Sequence, residues 1–86
     1  MIVHIPSPLR SYTGNESRVE AHGSTVRDLL GDLESRHPGI VFRMIDEQDG
    51  IRKHIKIYRD NEPVSAIDES LDGAAVLHII CALSGG

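Results

Sequence analysis

The sequence contains few aromatic residues, no tryptophan and a single cysteine. Aromatic residues make up 3% of the 86 residues, and Cys81 has no second cysteine with which to form an internal disulfide. Small secreted domains often depend on disulfides, so the sequence favours a reducing compartment, and we expect a cytoplasmic protein. The length allows one domain with a modest core and no deep cleft, which argues against an enclosed active site.

The sequence also lacks long apolar runs and any excess of positive charge. No run approaches the roughly 20 apolar residues of a membrane-spanning helix, and no charged and apolar leader stands at the start. The 9 lysines and arginines are outnumbered by 13 aspartates and glutamates. We therefore expect no binding to nucleic acid or to a membrane, and the acidic balance leaves room for a basic protein partner.

Motifs for binding a metal or a nucleotide are missing as well. The acidic turn at residues 46–50 lacks the spacing of a calcium loop, and no Gly-x-x-x-x-Gly-Lys loop is present to bind a triphosphate. No pair of cysteines or histidines has the spacing of a zinc site, so we predict no metal site. The histidines that stand singly are His4, His22, His37 and His54. On these grounds the chain itself is not expected to be an enzyme.

The first part of the chain is predicted to form a hairpin with a long loop. Residues 1–5 make a short strand that ends at Pro6, because proline cannot donate a hydrogen bond to a strand ladder. A turn follows. Residues 18–21 then alternate charged with apolar side chains, which indicates the second strand of the hairpin.

One amphipathic helix is predicted from Ser24 or Thr25 to His37. A Pro-Gly pair follows His37 and stops the helix. A helix with one apolar stripe covers one surface, and a sheet is the natural candidate for that surface. The apolar residues that share one face by their spacing are Val26, Leu29, Leu30 and Leu33.

Later segments supply the remaining strands of the predicted sheet. Residues 40–50 are interpreted as a loop, and residues 54–58 alternate apolar with polar side chains, as a half-buried strand does. Residues 64–67 are interpreted as a short edge piece. Residues 76–83 are apolar at all but one position, which is typical of a strand in the middle of a sheet.

This order of elements predicts an α+β, ubiquitin-like β-grasp fold. We expect a mixed sheet of about four to five strands, with one main helix packed across one face and the first and last strands side by side and parallel. Residues 1–83 form this domain. Residues 84–86 form a flexible C-terminal diglycine tail, because Ser84, Gly85 and Gly86 have no side chains that could anchor them.

Four segments, spread over nearly the whole chain, carry a resemblance to a known family. They are the opening "IPSPLRSYTGN", the middle "KHIKIYRDNEPV", the approach "LDGAAVLHII" and the final "LSGG". Together they resemble the MoaD/ThiS family of β-grasp sulfur carriers. The longer section "FRMIDEQDGIRKHIKIYRDNEPV" is most similar to the CysO-type branch of that family.

The resemblance implies that the carboxylate of Gly86 is the reactive group. A ubiquitin-activating-type adenylyltransferase would adenylate it with ATP and Mg²⁺, both bound by that partner, and a sulfur donor would then displace AMP to leave a thiocarboxylate. Gly86 has no Cβ to obstruct attack on the acyl carbon, and Gly85 lets the backbone thread a narrow channel. The chain is then a protein co-substrate that binds no cofactor and gives sulfur to a cysteine synthase-like or molybdopterin-synthase large subunit-like enzyme.

The resemblance also suggests where a partner docks, because the matching face of the final strand is a docking patch in ubiquitin. By alternation, the side chains of His78 and Ile80 lie on the face that the helix does not cover. Sheet residues that are half exposed to solvent and bind no partner would show the same pattern, so this second interpretation stays open. We expect the partner surface to consist of His78, Ile80, Lys56 and Tyr58, with Leu83 and Ser84 leading into the tail.

Cys81 lies close enough to the C-terminus to suggest a role in relaying sulfur. By alternation, however, it shares the face of Leu77 and Ile79, which is directed toward the helix. A reactive cysteine needs exposure and a lowered pKa. We therefore expect a buried and inert thiol.

Several functions remain compatible with these features. As a sulfur carrier, the chain would serve the synthesis of cysteine, thiamin, molybdopterin or another thiolated product. It could instead be the small subunit of a molybdopterin-synthase-type complex, or a ubiquitin-like modifier conjugated to lysines through Gly86. In a fourth reading, the chain is a β-grasp binding module in which the diglycine is incidental.

Overall fold

The computed structural model describes residues 1–82, in which five strands form one mixed sheet. The strands are β1 (Ile2–His4), β2 (Arg18–Glu20), β3 (Ile55–Arg59), β4 (Glu62–Pro63) and β5 (Val76–Cys81). They lie in the order β2-β1-β5-β3-β4, with β1 parallel to β5 and every other neighbouring pair antiparallel. The predicted β-grasp sheet, with its first and last strands adjacent and parallel, is confirmed.

The main helix, α1 (Val26–Arg36), presents its predicted apolar face to the core. All four apolar residues of that face are buried, and they belong to one cluster with buried residues of β1, β3 and β5. The hydroxyl oxygen of Thr25 accepts a hydrogen bond from the N–H of Asp28 at 3.1 Å, so Thr25 rather than Ser24 is the N-cap. Within residues 1–82, no helix is long and apolar enough to cross a bilayer.

The last strand, β5, occupies the middle of the sheet as predicted. Leu77 and Ile79 are buried on the side of the helix. On the other face, His78 is half-buried and Ile80 is exposed. Because β5 is paired with β1 on one edge and with β3 on the other, a nearly continuous apolar sequence suits it.

The edge strand is β4, and the prediction of an edge piece at residues 64–67 is wrong. A tight turn after β3 places Asp60 in the left-handed region, with φ at 51°. This turn brings Glu62 directly opposite Arg59, so pairing begins immediately after the turn. The strand ends at Pro63, and one further hydrogen bond joins the backbone N–H of Val64 to the carbonyl oxygen of Ile57 at 2.8 Å. Proline is tolerated there because an edge strand needs no donor on its outer side.

A carboxylate turns the chain away from the sheet after β4. Glu69 accepts hydrogen bonds from the backbone N–H groups of Ser65 at 2.9 Å and Ala66 at 3.0 Å, and from the guanidinium of Arg59 at 2.8 Å. These hydrogen bonds, that of Ser65 first, hold the pKa of Glu69 below its ordinary value. The backbone that a longer edge strand would have used is thereby committed to a turn.

Two short 3₁₀ helices lie in segments that the sequence suggested were turn or loop. They are Ser7–Tyr12 and Val41–Arg43. The first has Pro8 at its second position, where the missing N–H is not needed because the first turn of a helix has no partner for it. The second is tied to α1 by Glu34, whose carboxylate accepts hydrogen bonds from the backbone N–H of Gly39 at 2.8 Å and of Val41 at 3.1 Å.

Gly23 lies where the chain passes from β2 to α1, against the backbone of the helix. A Cβ atom at this position would lie 2.2 Å from the backbone nitrogen of Leu29 and 2.6 Å from the backbone carbonyl carbon of Asp28. We expect Gly23→Ala to lower the free energy of unfolding by about 3 kcal/mol, because helix backbone rather than a flexible side chain must move. Urea denaturation followed by circular dichroism measures the change.

Gly31 provides the matched control for this substitution. It is exposed within α1, and a Cβ atom there would have no neighbour within 4 Å. Gly31→Ala should therefore raise the free energy of unfolding by about 0.5–1 kcal/mol, through helix propensity alone. Equal effects of the two substitutions would contradict the close packing at Gly23.

Candidate functional site

The C-terminal end of β5 is the point from which the tail begins. Ala82 follows β5, and its backbone N–H donates a hydrogen bond to the carbonyl oxygen of His54 at 2.7 Å. The last described residue is therefore hydrogen-bonded to the segment that precedes β3. The predicted site residues Leu83, Ser84, Gly85 and Gly86 lie outside the described residues.

The remaining residues of the predicted partner surface lie on two adjacent strands. Lys56 is directly opposite Ile80, and Tyr58 is directly opposite His78, in the antiparallel ladder of β3 and β5. Lys56 is exposed, Tyr58 and His78 are half-buried, and Ile80 is 46% exposed. We call these four residues the sheet face. From the sequence, these side chains were expected to lie close together if their strands were adjacent. In the structure β3 and β5 are adjacent, and the four side chains are neighbours.

A histidine from β1 joins the sheet face and was not predicted there. His4 is the register partner of His78, and their Nδ1 atoms lie 3.0 Å apart. The two rings meet edge to face, with centroids 4.7 Å apart and an angle of 72° between their planes. One Nδ1 must donate and the other accept, so at least one of the two imidazoles is neutral in this arrangement.

The pairing of the histidines could have been found from the sequence. The first and last strands were already predicted to pair in parallel. A register that aligns Val3 with Leu77, both of which are buried, completes this prediction. His4 and His78 then follow at the next position, on the opposite face. The pairing was not predicted because the two histidines are far apart in the chain and were treated as isolated residues.

Cys81 lies on the predicted face but is less covered than predicted. It packs against the core beside Leu77 and Ile79, as alternation indicated, yet it is only half-buried. It is the last residue of β5 and borders two surface grooves, of about 380 and 510 Å³. The expected burial of the thiol is therefore only partial, since core packing is incomplete at the end of the strand.

The described residues offer an exposed surface beside the end of β5. Among residues 1–82, no three or more His, Cys, Asp or Glu side chains are grouped so that they could hold a metal ion. The same residues leave no buried side-chain nitrogen or oxygen without a hydrogen-bond partner.

Comparison with known proteins identifies the group to which this arrangement belongs. The family model described as the ThiS family matches residues 3–86. The chain belongs to the ThiS family. The matched region covers all of β1 but its first residue, the other four strands, the helix and the terminal diglycine, and the resemblance inferred from the sequence is confirmed.

Curated relatives point to one branch of the ThiS family. The sulfur carrier protein CysO of Mycobacterium tuberculosis (strain ATCC 25618 / H37Rv) is 36% identical over 64 residues, which cover 72% of this chain and 69% of CysO. A chain in the crystal structure of the BexX/CysO complex of Amycolatopsis orientalis has a TM-score of 0.89 and 36% identity. That match covers 99% of this chain and 98% of the other. The ThiS family member described here is thus a sulfur carrier protein of the ThiS and CysO type.

A second group of β-grasp proteins shares the fold. The crystal structure of SAMP1 from Haloferax volcanii has a TM-score of 0.75 and 27% identity, with coverage of 100% of this chain and 98% of that chain. A second crystal structure of this H. volcanii protein, small archaeal modifier protein 1, has a TM-score of 0.73 and 25% identity, with coverage of 96% of this chain and 97% of that chain. Proteins named as sulfur carriers and as modifiers therefore share this fold.

Proposed function

We propose that the chain carries sulfur as a thiocarboxylate on Gly86 and donates it in biosynthesis. The observation that carries this proposal is the family match, which extends through residue 86 and so includes the diglycine. Similarity to CysO favours a product of the cysteine type over thiamin or molybdopterin. The sulfur-accepting enzyme is then cysteine synthase-like, with a molybdopterin-synthase large subunit-like enzyme as the other class.

The chemistry proceeds in two displacements. The Gly86 carboxylate attacks the α-phosphorus of ATP, and pyrophosphate leaves; this makes an acyl-adenylate from a carboxylate that is itself a poor electrophile. A sulfur nucleophile then attacks the acyl carbon, and AMP leaves with the bonding electron pair. Attack is unhindered because glycine has no Cβ beside the carbonyl carbon.

The activating partner supplies ATP and Mg²⁺ in this scheme. The sequence contains no Gly-rich phosphate-binding loop followed by Lys, so the triphosphate has to be held elsewhere. We assign this role to a ubiquitin-activating-type adenylyltransferase that docks on the sheet face. Ile80 supports the assignment, because a large apolar side chain that is 46% exposed on a sheet is favourable to bury in an interface.

The test is the intact mass of the protein after incubation with an adenylyltransferase of this class, ATP, Mg²⁺ and a sulfide source. We expect a gain equal to the replacement of one oxygen by sulfur, dependent on ATP. Tandem mass spectrometry should place the change on the C-terminal residue. No gain with any adenylyltransferase from the same host would overturn the proposal.

Conjugation to lysines is the second candidate, favoured by the likeness to SAMP1. It uses the same acyl-adenylate, but the nucleophile is a lysine amine and the product is an isopeptide bond. Mass spectrometry of trypsin-digested host proteins separates the two functions. A modifier leaves C-terminal remnants of this chain on lysines of other proteins, whereas a carrier leaves none.

A further inference from the structure

An exposed aromatic side chain stands beside the end of β5. Phe42, in the 3₁₀ helix Val41–Arg43, is 62% exposed, whereas Ile40 and Met44, two positions away on either side, are fully buried. It is the single phenylalanine of the sequence. Core packing therefore does not hold this ring, and an aromatic side chain left in water is a common anchor in protein interfaces.

The ring is held in place by an arginine. The guanidinium carbon of Arg52 lies 4.9 Å from the centroid of the Phe42 ring, and its Nε donates a hydrogen bond to the Phe42 carbonyl oxygen at 2.9 Å. The backbone N–H of Arg52 donates to the carbonyl oxygen of Met44 at 2.9 Å. Because the loop is already ordered in this way, little conformational entropy is lost when a partner binds it.

Positive charge surrounds this ring, although the chain as a whole is acidic. Within residues 1–82, the arginines that form ion pairs are Arg27, Arg36 and Arg59. Arg43 and Arg52 belong to none of these pairs and border a groove of about 510 Å³ together with Phe42, His54 and Cys81. We call these five residues the Phe42 corner. One carboxylate, that of Glu47, also borders the groove, so the corner is complementary to an acidic surface.

The distance from the corner to the reactive carboxylate is limited by the length of the tail. Four residues follow Ala82, and a fully extended chain of that length spans at most about 14 Å. Any enzyme whose active site takes Gly86 must therefore bring its own surface close to the end of β5. The Phe42 corner and the sheet face both border this point: Cys81 of the corner lies on the helix side of β5, and Ile80 of the sheet face lies on the other side.

We propose that the Phe42 corner is a second docking surface, which binds an acidic rim and apolar pocket on the enzyme that accepts sulfur from Gly86. This assignment rests on the proposed function, which gives the sheet face to the activating enzyme and leaves the corner free. Separate surfaces allow the two enzymes to have unrelated shapes while they use the same tail.

The test measures sulfur transfer separately from activation. Thiocarboxylates of the wild type and the variants are made by sulfide cleavage of intein fusions, so no activating enzyme is needed. Each is mixed with the host's cysteine synthase-like enzyme or its molybdopterin-synthase large subunit-like enzyme, together with the small-molecule substrate onto which that enzyme transfers sulfur. Loss of sulfur from the carrier is followed by intact mass below saturation. We expect Phe42→Ser and Arg43→Glu each to slow transfer by about tenfold or more, and Arg43→Glu to weaken its salt dependence.

The matched control is Arg18→Glu, which makes the same charge reversal at an exposed position of β2. It should leave transfer within about twofold of wild type. Phe42→Ser and Arg43→Glu should leave activation by the adenylyltransferase within the same range. Unchanged transfer, or slowed activation, in these two variants would overturn the assignment of the corner while leaving the carrier function intact. Failure of the wild-type thiocarboxylate to react with either enzyme would overturn the carrier function itself.

Discussion

A chain that lacks Gly86 should gain no sulfur when it is incubated with the activating enzyme, ATP and sulfide. Deletion leaves a carboxylate on Gly85, so the chemistry of the terminus is preserved and only its reach changes, by about 3.5 Å. A misplacement of about 1 Å can slow a reaction about 100-fold in an active site, so this shift should reduce activation below detection. Intact mass measures the product, and ATP–pyrophosphate exchange measures the first displacement.

Gly86→Ala is the matched variant for this deletion, because it keeps the length of the tail and adds one methyl group beside the reacting carbonyl. It should still gain sulfur, at a rate about 10- to 100-fold below wild type. A deletion variant that gains sulfur normally would show that the diglycine is incidental. Equal loss in both variants would show that the enzyme requires both the full reach of the tail and a terminal residue without a side chain.

The double substitution His78→Asp with Ile80→Asp should lower kcat/KM for activation by about 100-fold. It places two negative charges at the centre of the sheet face, where Ile80 is 46% exposed and Lys56 and Tyr58 lie directly opposite. Truncating or reversing central interface residues commonly has effects of this size. Pyrophosphate exchange at low carrier concentration measures kcat/KM, and circular dichroism establishes that the variant is folded.

The control for the double substitution is its effect on sulfur transfer. A thiocarboxylate of the same variant, made by intein cleavage, should react with the accepting enzyme at close to the wild-type rate. Activation at the wild-type rate in a folded double variant would remove the sheet face from the proposed docking scheme. Slowed transfer would show that both enzymes use this face.

The sequence predicted the parts of the fold that have a strong period. The apolar stripe of α1 and the continuous apolar run of β5 leave one sensible arrangement, because each must bury its side chains against the other. The edge strand was misplaced for a local reason. Pairing after β3 is decided by the turn at Asp60 and by the hydrogen bonds that Glu69 accepts, and neither leaves a periodic signal.

The candidate site, too, was predicted in one part and missed in another. Alternation correctly placed His78 and Ile80 on one face, and adjacency of β3 and β5 brought Lys56 and Tyr58 beside them. The Phe42 corner was not predicted, because residues 40–50 were interpreted as a loop and their spacing does not indicate which of the apolar side chains are buried. Its exposure follows from the 3₁₀ turn, which directs Ile40 and Met44 inward and leaves Phe42 outside.

The parallel pairing of β1 and β5 also determines how the domain withstands a pull on its tail. The register joins Ile2 to Val76, Val3 to Leu77 and His4 to His78. Tension along β5 toward the C-terminus, opposed by a domain anchored at the start of β1, acts as a shear on this ladder, so its hydrogen bonds resist together rather than breaking one after another. β5 is bonded along its other edge to β3 as well. Under the proposed carrier function, an enzyme that draws the tail into its active site would therefore load this ladder in shear and would not peel β5 away from the sheet.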